Sequence, residues 1–233
     1  MKSSIFIYHH LGLGDHIICN AIIRYYSQKY DYVYNFVKPQ NFQNVYHMYR
    51  DLTNLKLITM NMSDIDFFIK VSPNNNYLIV GHQKLHEILK TTNNKTFDEI
   101  FYEMARVPFE EKWNRFYFQR DLEKEKEAFN KIGIKENEEF IFVHDDKNND
   151  RVIDENFINK DLKIIRPADY KDIRLFDFIH IIENAKEVHC MDSSFSCLID
   201  TMQIKNDNLF MHLYVRKDNS PPPKFKLNWK IIK

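Results

Sequence analysis

The first forty residues restrict the fold more than any other stretch. Residues 4–9 (S-I-F-I-Y-H) form a short apolar run that ends in a polar, glycine-containing loop, residues 11–15 (L-G-L-G-D). That is the pattern of a buried strand leaving a sheet. From His16 onward Ile17, Ile18, Ala21, Ile22 and Tyr25 recur at helical spacing, which predicts a helix to about Lys29. Residues 32–37 (Y-V-Y-N-F-V) predict a second strand, and Pro39 stands where another helix can begin. Strand, loop, helix and strand in about 35 residues make a βαβ unit, which implies parallel strands and a right-handed crossover.

The same alternation continues. Residues 55–60 and 77–81 predict strands, and 97–106 and 112–118 are aromatic-rich and helical or irregular. Residues 122–132 predict a charged helix closed by Gly133. A second array follows, with strands at 140–144, 162–165, 187–191 and 209–214 and helices at 175–184 and about 195–202. Pro221, Pro222 and Pro223 break structure before a basic tail, 224–233. The expected domains are 1–120 and 121–233, joined by a charged helical connector near 107–135. The preferred architecture is α/β, with two Rossmann-like halves facing a cleft. One continuous doubly wound sheet is the alternative.

Composition sets the class. Of 233 residues 44% are apolar and 15% aromatic, enough for a packed core and against disorder. Net charge is zero, with +3 on residues 1–120 and −3 on 121–233, which argues against a nucleic-acid partner. Cys19, Cys190 and Cys197 form no C-x-x-C, so neither a disulfide framework nor a cysteine zinc site is expected. The N-terminal run meets His9 too soon for a signal peptide, and no stretch nears the roughly 18 apolar residues of a membrane span. The expectation is a cytoplasmic protein. Four lysines with Trp229 in the tail give at most a weak membrane-surface association.

Two loops carry the candidate chemistry. Only 4 glycines occur, against roughly 16 at average usage, so the pair Gly12 and Gly14 is informative. Their loop lies outside the carboxyl end of strand one, where open α/β sheets bind ligands, and Asp15 and His16 follow directly. Asp15 is either a functional carboxylate or only a helix cap. A dinucleotide fingerprint is absent: position 17 is Ile17 rather than glycine, and Asn35-Phe36-Val37 supplies no ribose-binding acid. The second loop, Asp192-Ser193-Ser194, offers hydroxyls and amides at a helix start, which suit a phosphate; the bland reading is a capping arrangement. His144 ends a third strand and is either a phosphate ligand or a solvated loop residue. Lys147, Arg151, Arg166 and Arg174 are candidate cations. No metal is expected. The one D-x-D, Asp64-Ile65-Asp66, reads as the start of an element, and His9 and His10 on a strand end point to opposite faces. The aromatics Phe97, Phe101, Tyr102, Phe109, Trp113, Phe116, Tyr117 and Phe118 could stack on a sugar acceptor, but core packing and a domain interface are the simpler reading.

Taken together, G-L-G-D-H-I-I-C-N-A-I-I-R and A-K-E-V-H-C-M-D-S-S-F-S-C-L-I-D resemble the GT-B glycosyltransferases, above all the bacterial heptosyltransferase group. That group has G-D at the start of helix one and a late D-S/T-G-x-x-H. The phrase S-S-F-S is similar to fucosyltransferases of the same fold. The resemblance covers about 12–30 and 174–203. Ser194 replaces the group's glycine, and Cys197 or Leu198 its histidine. The resemblance implies a nucleotide-sugar donor in the second half and a glycan acceptor in the first. It places the catalytic base on Asp15 and donor contacts on Asp192 and Ser193, and has the C-terminal segment pack back on the first half. On this reading Gly12, Gly14, His16, His144, Lys147, Arg166 and Ser194 join the substrate-binding set. Transfer would be inverting and metal-independent, with no cofactor beyond the donor. The alternatives are a noncatalytic nucleotide-binding or assembly protein of this fold, or another phosphate-binding α/β enzyme.

Overall fold

A computed structural model describes residues 2–82, 95–135, 137–216 and 221–233. The chain divides into two compact units, Met1–Gln119 and Arg120–Lys233. Each is built on its own parallel sheet, so a single continuous sheet is not what forms.

In the first unit β1 (Ser4–Tyr8), β2 (Tyr32–Val37), β3 (Leu55–Thr59) and β4 (Tyr77–Ile79) line up in the order β3-β2-β1-β4. All pairs are parallel, with Ile5 opposite Val33 and Ile7 opposite Leu78. Both faces of β1 are used. Ile5 and Ile7 are fully enclosed, while Phe6 stacks on Tyr34 at 4.5 Å and Tyr8 joins Leu11, Phe36 and Ile65 in a core cluster. Among the described residues the α-helices are α1 (Leu13–Ile18), α2 (Asn20–Ser27), α3 (Phe42–Tyr49), α4 (Met62–Val71), α5 (Phe97–Met104) and the short α6 (Glu111–Asn114).

Two expectations change here. The helix expected from His16 begins at Leu13 and is interrupted at Cys19, where ψ is near 2°. Glycine reads as loop, but Gly14 takes helical backbone in the first turn, where fewer bonds depend on it. The second is an addition: α4 is a helix that the sequence marks only at its start, at Asp64-Ile65-Asp66, and its periodicity is weak because only Ile65 is buried along it. Phe67 is 66% exposed and Val71 57%. Of the aromatics of 97–118, Phe101, Tyr102 and Phe118 are buried, Phe97, Phe109, Trp113 and Phe116 are half-buried, and Tyr117 is exposed; Tyr102 and Trp113 each meet Phe109 edge to face.

Two buried cations brace this unit. Lys112 reaches Asp98 at 2.7 Å with both side chains enclosed. Arg24 binds Asp51 through both terminal nitrogens and the Tyr117 carbonyl through Nε at 2.8 Å, tying α2 to the segment that leaves the unit.

The second unit opens with α7 (Leu122–Ile132), capped by the Asp121 carboxylate and ended by Gly133 at φ 70°. Strands β5 (Phe140–His144), β6 (Lys163–Ile165), β7 (Glu187–Cys190), β8 (Leu209–His212) and β9 (Lys230–Ile232) follow, with helices α8 (Ile179–Asn184) and α9 (Ser194–Met202). The sheet order is β6-β5-β7-β8-β9, all parallel. Ile141 and Val143 pack with Ile153 and Met191 on one face, and Phe142 meets Phe178 and Phe195 on the other. The basic tail, expected to return to the first half, lies in this sheet as its edge strand. Asp200 of α9 holds it by accepting the Lys226 and Leu227 amides at 2.8 and 2.9 Å. Among the described residues no helix is long and apolar enough to cross a membrane.

Candidate active site

In an open parallel sheet the strand order reverses at one point, and the crevice outside the carboxyl ends there is the place for a ligand. In the first unit that point falls between β1 and β4. A pocket of about 940 Å³ opens there. Tyr8 and His10 come from the end of β1, Lys38 from β2, Gly81 and His82 from β4, Asp66 from α4, and Gly12 and Asp15 from the start of α1.

Asp15 lies in the first turn of α1, where its charge is favoured. It is not the cap; that position is Gly12, which has no side chain to offer. Instead the carboxylate folds back over Gly12. A Cβ at Gly12 would stand 2.6 Å from Asp15 Oδ2, so glycine makes the room. Gly14 and His16 do not line this pocket. His16 turns into the core, edge-on to His9 at 4.5 Å, with neither ring nitrogen hydrogen-bonded. Burial pushes its pKa well below the usual histidine range.

His9 and His10 do point opposite ways. His9 is enclosed and bonds the His10 carbonyl through Nδ1, and burial lowers it to about 4. His10 faces the pocket, where its Nε2 accepts the His82 amide at 2.8 Å. Burial raises the Tyr8 phenol to about 12, and the nearby Asp66 carboxylate adds to the shift. Asp64 and Asp66 sit on α4 two residues apart, hence about 200° apart around the helix, and cannot chelate one ion. Among the described residues no group of three metal-ligating side chains forms.

In the second unit the order β6-β5-β7 puts the reversal between β5 and β7. There the Ser193 hydroxyl meets His144 Nδ1 at 3.0 Å. Ser193 caps α9 in a capping box with Ser196, its amide donating to Ser196 Oγ at 2.9 Å. Ser194 is the first helical residue. So the capping reading is correct as structure, and it also leaves a helix N-terminus at the crevice, suited to an anion. The His144 ring packs on Phe195 at 4.5 Å, and burial lowers it to about 4. It therefore brings a hydrogen bond rather than a charge at neutral pH.

The cations separate by environment. Asp192 is nearly buried against Arg216, a residue after β8, at 2.5 Å. Arg166 faces Asp145 at 3.7 Å with both side chains mostly enclosed. Arg174 is bound to Asp177 and Asp121. Arg151 pairs backbone with Asp146 and closes the turn that presents the exposed Lys147. Sequence reasoning missed Tyr8, Lys38, Asp66, His82 and Arg216 as lining or bonding residues. Position at a strand end was the available signal for Lys38. Arg216 lies 24 residues from its partner and gave none.

No family model and no curated protein sequence matches the chain. Solved structures do. A glycosyl transferase family 9 protein from Veillonella parvula superposes with a TM-score of 0.54 at 7% identity, over 90% of this chain and 79% of that one. The E. coli ADP-heptose lipopolysaccharide heptosyltransferase II gives 0.52 at 11% identity, over 100% and 90%. At such identities the likeness is one of fold, and that fold is the one the two sequence motifs pointed to.

Proposed function

We propose that this chain is a glycosyltransferase that moves a sugar from a nucleotide-sugar donor to a hydroxyl of a glycan acceptor. The observation that carries the reading is Asp15. Its carboxylate is folded over a glycine at the mouth of the crevice pocket, on a fold shared with glycosyltransferases.

The chemistry needs a base for the acceptor proton and a partner for the departing diphosphate. Asp15 removes the proton as the acceptor oxygen attacks the anomeric carbon. The bond to the diphosphate breaks, and the nucleoside diphosphate leaves with the electron pair. Direct displacement of this kind inverts the anomeric centre. The α9 N-terminus at Ser193 and Ser194, with Lys147, meets the diphosphate charge. Asp192 accepts a donor hydroxyl, and His144 adds a neutral hydrogen bond. This reading assigns no step to a metal ion.

A thermal-shift screen with UDP-, GDP-, ADP-, CMP- and dTDP-sugars tests it. A donor at a hundred times its Kd stabilises by about 2.7 kcal/mol. The shift should vanish in Asp192→Ala. With the donor found, Asp15→Asn should abolish transfer while still binding donor. Gly12→Ala, whose Cβ displaces the carboxylate, should lower kcat at least about tenfold with an unchanged melting temperature. Donor binding without turnover in any acceptor mixture would favour a noncatalytic protein of this fold. A retained anomeric product would remove Asp15 from the base role.

A further inference from the structure

The first sheet ends on β3, which pairs with β2 alone among the described residues. The Val33 amide donates to the Asn54 carbonyl and the Met60 amide to the Val37 carbonyl, so the even-numbered residues of this stretch turn their backbone groups to β2. Leu55, Leu57 and Thr59 turn theirs the other way, to an open edge. A second cavity, of about 340 Å³, lies along that edge. Leu55, Lys56 and Leu57 all line it, although neighbouring side chains on a strand point to opposite faces. The strand's edge, rather than one of its faces, therefore forms that wall. The facing wall comes from α3: Phe42 and Tyr46, one turn apart with near-parallel rings at 6.0 Å, and Arg50 one turn further on. Tyr46 is 56% exposed. Among the described residues Lys56 makes no hydrogen bond or ion pair, and no carboxylate lines the cavity.

We infer that the β3 edge is a docking site for an extended peptide segment of a partner protein, apolar at alternate positions and acidic at those between. The segment adds to the sheet as a further strand, and its backbone bonds the free groups of Leu55, Leu57 and Thr59. Ile58 packs with Tyr8 and Phe36, so Lys56 shares that face, and Leu55 and Leu57 take the face of α3. Apolar side chains of the peptide enter the cavity beside the leucines and Tyr46. The acidic ones between them lie beside Lys56, an opposite-charge pair across strands. A second copy of this chain fits worse, because a symmetric pairing of two β3 edges brings Lys56 close to its own copy. A lysine on an edge strand also serves simply to discourage pairing, and the charge of the occupant separates these two roles. The inference does not depend on the transfer reaction.

Three fluorescein-labelled peptides test it by fluorescence polarisation with the full chain: E-V-E-L-E-V-E, K-V-K-L-K-V-K and the unalternating E-E-E-E-V-V-L. The first should bind saturably, and the other two at least about tenfold more weakly. Lys56→Glu, an exposed change, should reverse the order of the acidic and lysine peptides and leave the melting temperature unchanged. Amide hydrogen exchange, read residue by residue, then locates the peptide. The amides of Leu57 and Thr59 should slow on binding, while those of Lys56 and Ile58, already turned to β2, should not change. No binding of the acidic peptide, equal binding of all three, or an order that survives Lys56→Glu would overturn the inference. So would protection without that alternation. A concentration-dependent dimer that protects the same amides without peptide would overturn it too, by making a second copy the occupant.

Discussion

Histidine is used in opposite ways a few ångströms apart. His10 faces a pocket with its tautomer set by a backbone amide, whereas its neighbour His9 is sealed in the core against His16. The same contrast recurs in the second unit. His144 meets Ser193 at the crevice, while His189 and His212 bond each other inside the sheet at 2.9 Å. Burial holds His9, His144 and His212 near 4, below the usual histidine value of 6.5. The folded chain therefore refuses protons that the unfolded chain accepts. Stability contributed by these groups is intact above pH 6.5 and falls as pH drops toward 4, at up to about 1.4 kcal/mol per pH unit for each. The urea midpoint should be flat between pH 7 and 8 and fall clearly by pH 5. A midpoint unchanged at pH 5 would mean these rings are not held neutral.

At the scale of elements, the strands follow their apolar runs closely, and departures occur where tertiary contacts outrank local pattern. Residues 32–37 and 122–132 match their predicted bounds because each carries its own signal: a β-branched and aromatic run, or an N-cap and a C-cap glycine. By contrast α4 is exposed over most of its length and gives little periodicity. The α5–α6 segment is joined by a buried ion pair, Asp98–Lys112, beside the core residues Ile100, Phe101 and Tyr102. Lys112→Met should destabilise the chain by about 3–5 kcal/mol, because it strands a buried carboxylate. Pairing it with Asp98→Leu should recover most of that loss in equilibrium denaturation. Equal destabilisation by the single and double changes would show that the charge is not what matters.

Across the whole molecule, each unit carries one strand-order reversal with polar residues at its carboxyl ends, Asp15 and His10 in the first, His144 and Ser193 in the second. Under the proposed division of labour these crevices take different ligands. Hydrogen exchange should then show a sugar nucleotide protecting the amides of Ser193–Ser196 and leaving those of residues 10–15 unchanged. Protection confined to 10–15 would place the donor in the first unit and reverse the assignment.

Sequence alone determined the parallel βα character of both arrays, the strand ends that carry Asp15, His144 and Asp192, and the fold that the two motifs together suggest. Those properties are written locally, in apolar runs and the loops that end them. Only the tertiary structure decided which neighbours of these residues matter. It sent His16 to the core rather than the pocket, enclosed Arg166 against Asp145, paired Asp192 with Arg216, and put the C-terminal tail into the second sheet. Spacing along a helix, at about 100° per residue, tells which residues share a face, but partners such as His10 and His82 are brought together by strand order, which the spacing does not encode.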